Sequence, residues 1–398
     1  MTALAAILLG VSVALLLYVH LLYPVVMAML ARIRSKEWQK DEQLEPTVSI
    51  ILAVFNEEKV IEECINGLLQ LDYPTSKVEI LVGSDGSKDA TNAILTRLGN
   101  AHSSIKPFFF TQQRGKCAVV NDLVKQASGE ILLFTDADIV FPKEEIWLHV
   151  RHYATKEVGG VSGSLAFQSH HTDGLIQAES DYLSMELRLR LNEAKVHSTV
   201  GIFGGNYSIR RELWRPLPSD PVCDELYCGL SIIERGFRII FDETALSYEL
   251  YGRTMQDEFK RKVRFSARGL ITMTHFPRLL GISGGVIALM LWSHKIIRWM
   301  TPFLLAGVVV ASVLGVISTQ NLLYTILLGL SSGILGISVL GYLLEQVNTS
   351  IPGVKQVQWF VAMNIAFAKG IVRFFSRKEK PTWVPPTRVA VHDQGGGA

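Results

Sequence analysis

Apolar and polar positions divide the chain into three stretches. From Thr2 to Ala31 no side chain is charged, a run longer than the roughly 20 residues a helix needs to cross a hydrocarbon core. No basic segment precedes it and the run is too long for a signal-peptide core, so residues 1–32 read as an uncleaved anchor. Arg32, Arg34, Lys36 and Lys40 follow it and mark the flank 33–45 as cytosolic. A second apolar block starts near Leu279. Leu279–Trp292 is short for a span, and His294, Lys295 and Arg298 interrupt it. Met300–Ser318 and Leu322–Leu344 are uncharged and long enough to cross, which predicts a hairpin entered beside Lys295 and Arg298 and left beside Lys355. In Val357–Phe375 the apolar pattern is broken by Gln358, Asn364, Lys369 and Arg373. A span there would place Arg377, Lys378 and Lys380 on the wrong side, so an interfacial or re-entrant segment is expected, with a third span as the alternative.

Between Pro46 and Tyr251 the pattern changes to an alternation of short buried-strand runs with helical spacing. Val48–Val54, Val78–Val82, Pro107–Phe110 and Ile131–Phe134 are apolar; Glu57–Leu71, Asp89–Leu98 and Ala118–Ala127 carry helical periodicity. Such alternation predicts an α/β domain with a mostly parallel sheet covered on both faces. Ligands of these sheets bind beyond the carboxyl ends of the strands. Those ends carry Phe55-Asn56-Glu57, then Ser84-Asp85-Gly86-Ser87, then Arg114-Gly115-Lys116, then Asp136-Ala137-Asp138. Any one alone is compatible with turn chemistry; their recurrence at one sheet edge points to a site. Two carboxylates two residues apart offer oxygen ligands suited to Mg²⁺ or Mn²⁺, with Arg114 and Lys116 adding positive charge for phosphates. There is neither a GxxxxGK[ST] loop nor a GxGxxG after the first strand.

Further along, Gly204-Gly205-Asn206 precedes a strand, and its glycines permit close approach of a ligand. Asp224-Glu225 opens a helical pattern, either as acids favoured in a first turn or as a general base. Lys260, Arg261, Lys262, Arg264 and Arg268 crowd a helical stretch whose apolar positions include Val263 and Ala267, a basic amphipathic helix for a membrane surface.

Composition narrows the reading. The 398 residues are 48% hydrophobic and 19% charged, and the mean hydropathy is +0.26; disorder, collagen and a disulfide scaffold are excluded. The net charge of +2, from 39 basic against 37 acidic residues, argues against a nucleic-acid partner. Cys64, Cys117, Cys223 and Cys228 form no CxxC pair, so they read as reduced thiols and not as a zinc site. His149, His152, His170 and His171 show no metal-binding spacing and read as packed or solvated.

Together these residues resemble the inverting family-2 glycosyltransferases, in particular the membrane-embedded group of cellulose, hyaluronan, chitin and poly-N-acetylglucosamine synthases. The resemblance covers about Pro46 to Phe276. It implies a GT-A domain at 46–253, a basic interfacial helix at 254–278, a membrane region at 279–376 (spans at 300–318 and 322–344, with 357–375 as above) and a tail at 377–398. It implies that Phe55, Asn56, Glu57, Asp85 and Lys116 contact the donor nucleotide, that Asp136 and Asp138 form the metal-binding DxD motif, and that Asp224 or Glu225 is the base. Gly205, Asn206, Arg261, Arg264 and Phe265 would serve the diphosphate or the acceptor. Arg261 and Phe265 stand where processive members carry Gln and Trp. The expected function is transfer from a UDP-sugar, with Mg²⁺ or Mn²⁺, to a glycan or a lipid-linked acceptor at the cytosolic face of a bacterial plasma membrane, in polysaccharide synthesis. Partners would include the bilayer and an accessory membrane subunit or a second copy of the chain. Transfer of a single sugar to a lipid and a non-catalytic nucleotide-sugar-binding subunit are the alternatives.

Overall fold

A computed structural model describes residues 2–382 except 35, 37, 168–173, 250–253, 348, 350 and 352, and for residues 167 and 174–183 the backbone alone. His170, His171 and the tail beyond Thr382 therefore lie outside the described residues. At its centre is an eight-stranded sheet in the order β3-β2-β1-β4-β7-β6-β8-β5. Its strands are β1 (Val48–Val54), β2 (Val78–Asp85), β3 (Ile105–Phe110), β4 (Ile131–Thr135), β5 (Ile139–Val140), β6 (Val158–Phe167), β7 (Tyr207–Arg210) and β8 (Arg238–Glu249).

The half formed by β3, β2, β1 and β4 is parallel, as the continuous apolar runs predict. All seven residues of β1 and all five of β4 are buried, which requires cover on both faces. Beyond β4 the sheet is mixed. β7 runs antiparallel to both β4 and β6, β6 and β8 pair in parallel, and the two-residue β5 pairs antiparallel with the end of β8. Two hydrophobic clusters lie against the sheet: one contains Ile51, Leu81, Leu132 and Tyr207, the other Ile50, Leu52, Val82 and Leu133. Successive residues of β1 enter opposite clusters, as period-two side-chain alternation demands.

The first helix, Thr2–Ile33, and the pair Thr301–Thr319 and Leu322–Gln346 are long and apolar enough to cross a membrane. In Leu322–Gln346 only 6% of the most apolar window is buried by protein. An apolar surface of that extent is suited to lipid, and these helices make the chain membrane-associated. The helix Ile282–Ile297 is shorter. Val354–Phe375 is not among the apolar spans. It packs on the basic helix Met255–Thr274, where Gly370 lies directly against Ser266 and Lys369 sits 5.7 Å from the Phe259 ring centre.

Candidate active site

The carboxyl ends of β1 and β4, together with Lys116 after β3, meet in one cavity of about 770 Å³. Asp136 follows β4, and its carbonyl accepts the Ile139 amide at 3.2 Å. This turn brings Asp136 and Asp138 to the same wall of the cavity. Lys116 is the first residue of helix Lys116–Gln126, preceded by Gly115 at φ +97°, a conformation that favours glycine. Asp85 explains why the loop holds that shape. It is fully buried and accepts the backbone amides of Arg114 and Gly115, both at 2.8 Å. Asp85 was expected to contact the donor; the structure places it beneath the loop that aims Lys116.

The Lys116 ammonium bridges two acidic regions that are far apart in the chain. It lies 2.9 Å from Asp136 and 3.1 Å from Asp224. Burial alone would lower its pKa, but Asp136, Asp224 and Glu225 hold it well above the ordinary lysine value. Asp224 and Glu225 open helix Asp224–Glu234, where its dipole favours negative charge. The Cys223 amide before them donates to Thr272 at 2.9 Å and ties the helix start to the basic helix. Burial pushes the Asp224 carboxyl up, yet Lys116 outweighs it and holds the group below the usual carboxylate range. Glu225 moves the other way: burial, and then the charge on Asp224, push it up to about 7. It accepts the Cys223 thiol at 2.9 Å and faces Gly204 across the cavity.

The basic helix forms another wall. Arg261, Arg264 and Phe265 all line the cavity. Arg261 makes a two-pronged bond to buried Glu258, at 2.7 and 2.6 Å, and Lys262 joins the same carboxylate at 3.1 Å. Phe265 meets Trp299 edge-on at 5.8 Å. Arg268 donates to the carbonyls of Lys380 and Thr382 and pairs with Glu379 at 3.3 Å. It thereby holds residues 379–382 beside Gly115, where an added β-carbon would lie 2.7 Å from the Pro381 carbonyl oxygen.

Of the expected residues, Glu57, Lys116, Asp136, Asp138, Gly205, Asp224, Glu225, Arg261, Arg264 and Phe265 meet in the cavity. Phe55, Asn56, Asp85 and Asn206 are not on its wall. Asn56 adopts φ +53° and accepts the Lys88 amide at 2.9 Å, so it shapes the loop beside Asp85. Asn206 is engaged within the sheet. Fully buried, it donates to the carbonyls of Ser164 and Ala245 at 3.2 and 3.0 Å and faces His149 at 2.8 Å through its oxygen. Its amide is consumed in joining β6, β7 and β8. His149 and His152 are packed, as expected, and all four cysteines are free. Trp299 and the cluster Glu186, Arg190, His294 and Lys295 on the cavity wall were missed. Lys295 and Arg298 had been read as flanking charges of a span.

A half-parallel sheet whose strand ends present acids and a lysine to one cavity, closed by an acid pair from the second half, is the GT-A architecture of nucleotide-diphospho-sugar transferases. Residues 49–215 match the family described as Glycosyl transferase family 2. The chain is 28% identical over 158 residues to glycosyltransferase AglE of Haloferax volcanii, covering 40% of this chain and 52% of that protein. It is 23% identical over 232 residues to the poly-beta-1,6-N-acetyl-D-glucosamine synthase of Staphylococcus aureus, covering 56% of this chain and 54% of the synthase. The chain thus spans about half the length of the curated relatives it matches. In fold it is similar to the mannosyltransferase PcManGT of Pyrobaculum calidifontis, solved with GDP-Man and Mn2+: TM-score 0.72 at 21% identity, over 94% of this chain and 100% of that one.

Proposed function

We propose that this chain is an inverting glycosyltransferase that moves a sugar from a UDP-sugar to an acceptor hydroxyl at the cytosolic face of a bacterial plasma membrane, in the synthesis of a surface polysaccharide or exopolysaccharide. In this reading 46–253 is the catalytic unit, 254–278 its basic surface helix and 279–376 its membrane part. The observation that carries it is the shared cavity, in which Asp136, Asp138 and Lys116 face Glu225 and the cations of Met255–Thr274.

Glu225 takes the proton of the acceptor hydroxyl. Its pushed-up pKa suits a base that works near neutrality, whereas Asp224 is held ionised against Lys116. The acceptor oxygen attacks the anomeric carbon, the carbon–oxygen bond to the donor phosphate breaks on the opposite face, and the nucleoside diphosphate leaves with its electron pair. Lys116, Arg261 and Arg264 stabilise the negative charge that develops there. Phe265 offers a face for a sugar ring.

Asp136 and Asp138 supply oxygen donors alone, which suits Mg²⁺ or Mn²⁺, and the Lys116 ammonium against Asp136 shows that positive charge is accommodated at this point. Among the described residues no three His, Cys, Asp or Glu side chains form a complete cage, so donor phosphates would complete the shell. When bound, such a cation offsets charge on the departing diphosphate.

The test is release of nucleoside diphosphate by the purified full chain in nanodiscs, with a panel of UDP- and GDP-sugars and mass analysis of products. UDP release with one sugar added to an acceptor is expected, and Asp138→Ala should reduce it at least a hundredfold. Turnover undiminished by that substitution would overturn the assignment.

A further inference from the structure

The cavity extends past Glu225 to a buried cluster of charges that the transfer step does not use. Helix Gly174–Val196 contributes Glu186, Arg190 and Glu193; Ile282–Ile297 contributes His294 and Lys295, and Arg298 follows. The carboxylates in this cluster are fully engaged. Glu186 accepts from Arg190 Nε at 3.0 Å, His294 Nε2 at 2.8 Å and Arg298 at 2.8 Å. Glu193 faces His294 Nδ1 at 2.8 Å and accepts the Tyr23 hydroxyl at 2.6 Å.

Two donors are left over. Lys295 is only 5% exposed, yet among the described residues it has no carboxylate within ion-pair distance. Nη1 of Arg190 is buried without a hydrogen-bond partner. The two cations converge: a β-carbon added at Gly201 would lie 2.8 Å from Arg190 Nε and 3.2 Å from Lys295 Nζ. Burial draws the Lys295 pKa down to about 8 against the pull of Glu186. A buried cation without its counter-charge is strongly destabilising, and an apolar side chain would pack this position better. Among the described residues, Lys295 and Nη1 of Arg190 thus offer positive charge and a donor to an anion.

Its position indicates which anion. Gly201 is three residues from Gly204, which faces Glu225; with three residues spanning at most about 11 Å and the two cations about 3 Å beyond a β-carbon at Gly201, they lie within about 16 Å of the chain opposite that carboxyl. The other side of the cluster meets the apolar helices: His20 of the first helix contacts Thr301, the first residue of Thr301–Thr319, at 3.3 Å, and Tyr18 contacts Ser293 at 2.7 Å. The donor diphosphate already has Lys116 and the basic helix. A second phosphate, on the side of the cavity that reaches the base and beside long apolar helices, belongs to an amphiphile.

We propose that Arg190 and Lys295, with Arg298 beside them, hold the phosphate of a lipid phosphate or diphosphate that carries the acceptor sugar. The sugar hydroxyl reaches Glu225 and the hydrocarbon chain lies along the apolar helices. The inference rests on the glycosyl-transfer reading and names its acceptor class.

The experiment measures binding of farnesyl phosphate, farnesol and inorganic phosphate to the full chain in phosphatidylcholine nanodiscs, with UDP binding read in the same discs to verify the fold. Farnesyl phosphate should bind at least tenfold tighter than either comparison ligand. Lys295→Met should remove that advantage and Lys295→Arg retain most of it. Farnesol binding as tightly as its phosphate, or an advantage untouched by Lys295→Met, overturns the proposal. Inorganic phosphate binding as well as the lipid would make this a free-anion site and overturns its lipid part. Should Lys295→Met also lose UDP binding, the ranking of the three ligands on the unsubstituted chain decides. Farnesyl phosphate binding without nucleotide release from any donor would sink the transfer reading and leave the phosphate site standing.

Discussion

Glu225 and Asp224 are neighbours at one helix start, yet their surroundings drive their protons in opposite directions. Lys116 stabilises the charge on Asp224, while Glu225 is raised by burial and by that charge. For turnover, kcat/KM should therefore rise with pH through about 7 as Glu225 loses its proton, and Glu225→Gln should abolish this limb with a loss of about 10²–10⁴ in rate. For stability the sign is reversed. The folded pKa of Glu225 lies above its unfolded value of 4.5, so its contribution is fully present below 4.5 and is lost as pH rises through about 7. Glu225→Gln should then be more stable than the unsubstituted chain above pH 7, by up to about 3 kcal/mol, and equal to it near pH 4; denaturant titration at the two pH values checks both. Lys116→Met is the converse case. It leaves Asp136 and Asp224 without their shared cation, and should lower the thermal midpoint and shift the rate limb to higher pH. The acid pair was legible as a pair in the chain. Which acid is the base was not, because the deciding charge arrives from a different strand end.

At the scale of elements, legibility followed burial. β1 and β4 are buried along their whole length, so their apolar runs announced a parallel half-sheet and put Asp136 and Asp138 at its edge. The mixed half was opaque for the same reason: β6 contains Gly159, Gly160 and Gly163 among its residues and β7 is four residues long, leaving little period to read. Asn206 shows what this conceals. A polar residue after two glycines resembles a ligand contact, but its amide satisfies carbonyls on the segments containing Ser164 and Ala245. Asn206→Ala would remove the donor of these acceptors, at about 1–3 kcal/mol for each buried group left unsatisfied, while His149 keeps Glu145 and Ser208. The expected result is a clear drop in unfolding free energy with the KM for donor unchanged. A raised KM at unaltered stability would restore Asn206 to the binding site.

The molecule as a whole is organised around the junction of sheet domain and apolar helices, and here the charge pattern misled. Lys295 and Arg298 interrupt an apolar run and so look like the end of a span; Glu186, the partner of Arg298, lies 112 residues earlier, beyond the reach of any local pattern. The long apolar helices themselves were legible from length and absence of charge, the two features that lipid imposes on a span. Leu322–Gln346 offers the sharpest test of that physics, since protein covers so little of it. Ile334 is at its middle and 44% exposed. Ile334→Lys should cost roughly 3 kcal/mol of insertion free energy, near a hundredfold in the inserted fraction. Leu322→Lys, at the helix end, should cost far less because the amine can reach the interface. Glycosylation mapping of the Ser318–Asn321 loop reads both. Equal, small effects would mean that this apolar face is covered by protein and not by lipid, and the path proposed for the acceptor's hydrocarbon chain would lose its support.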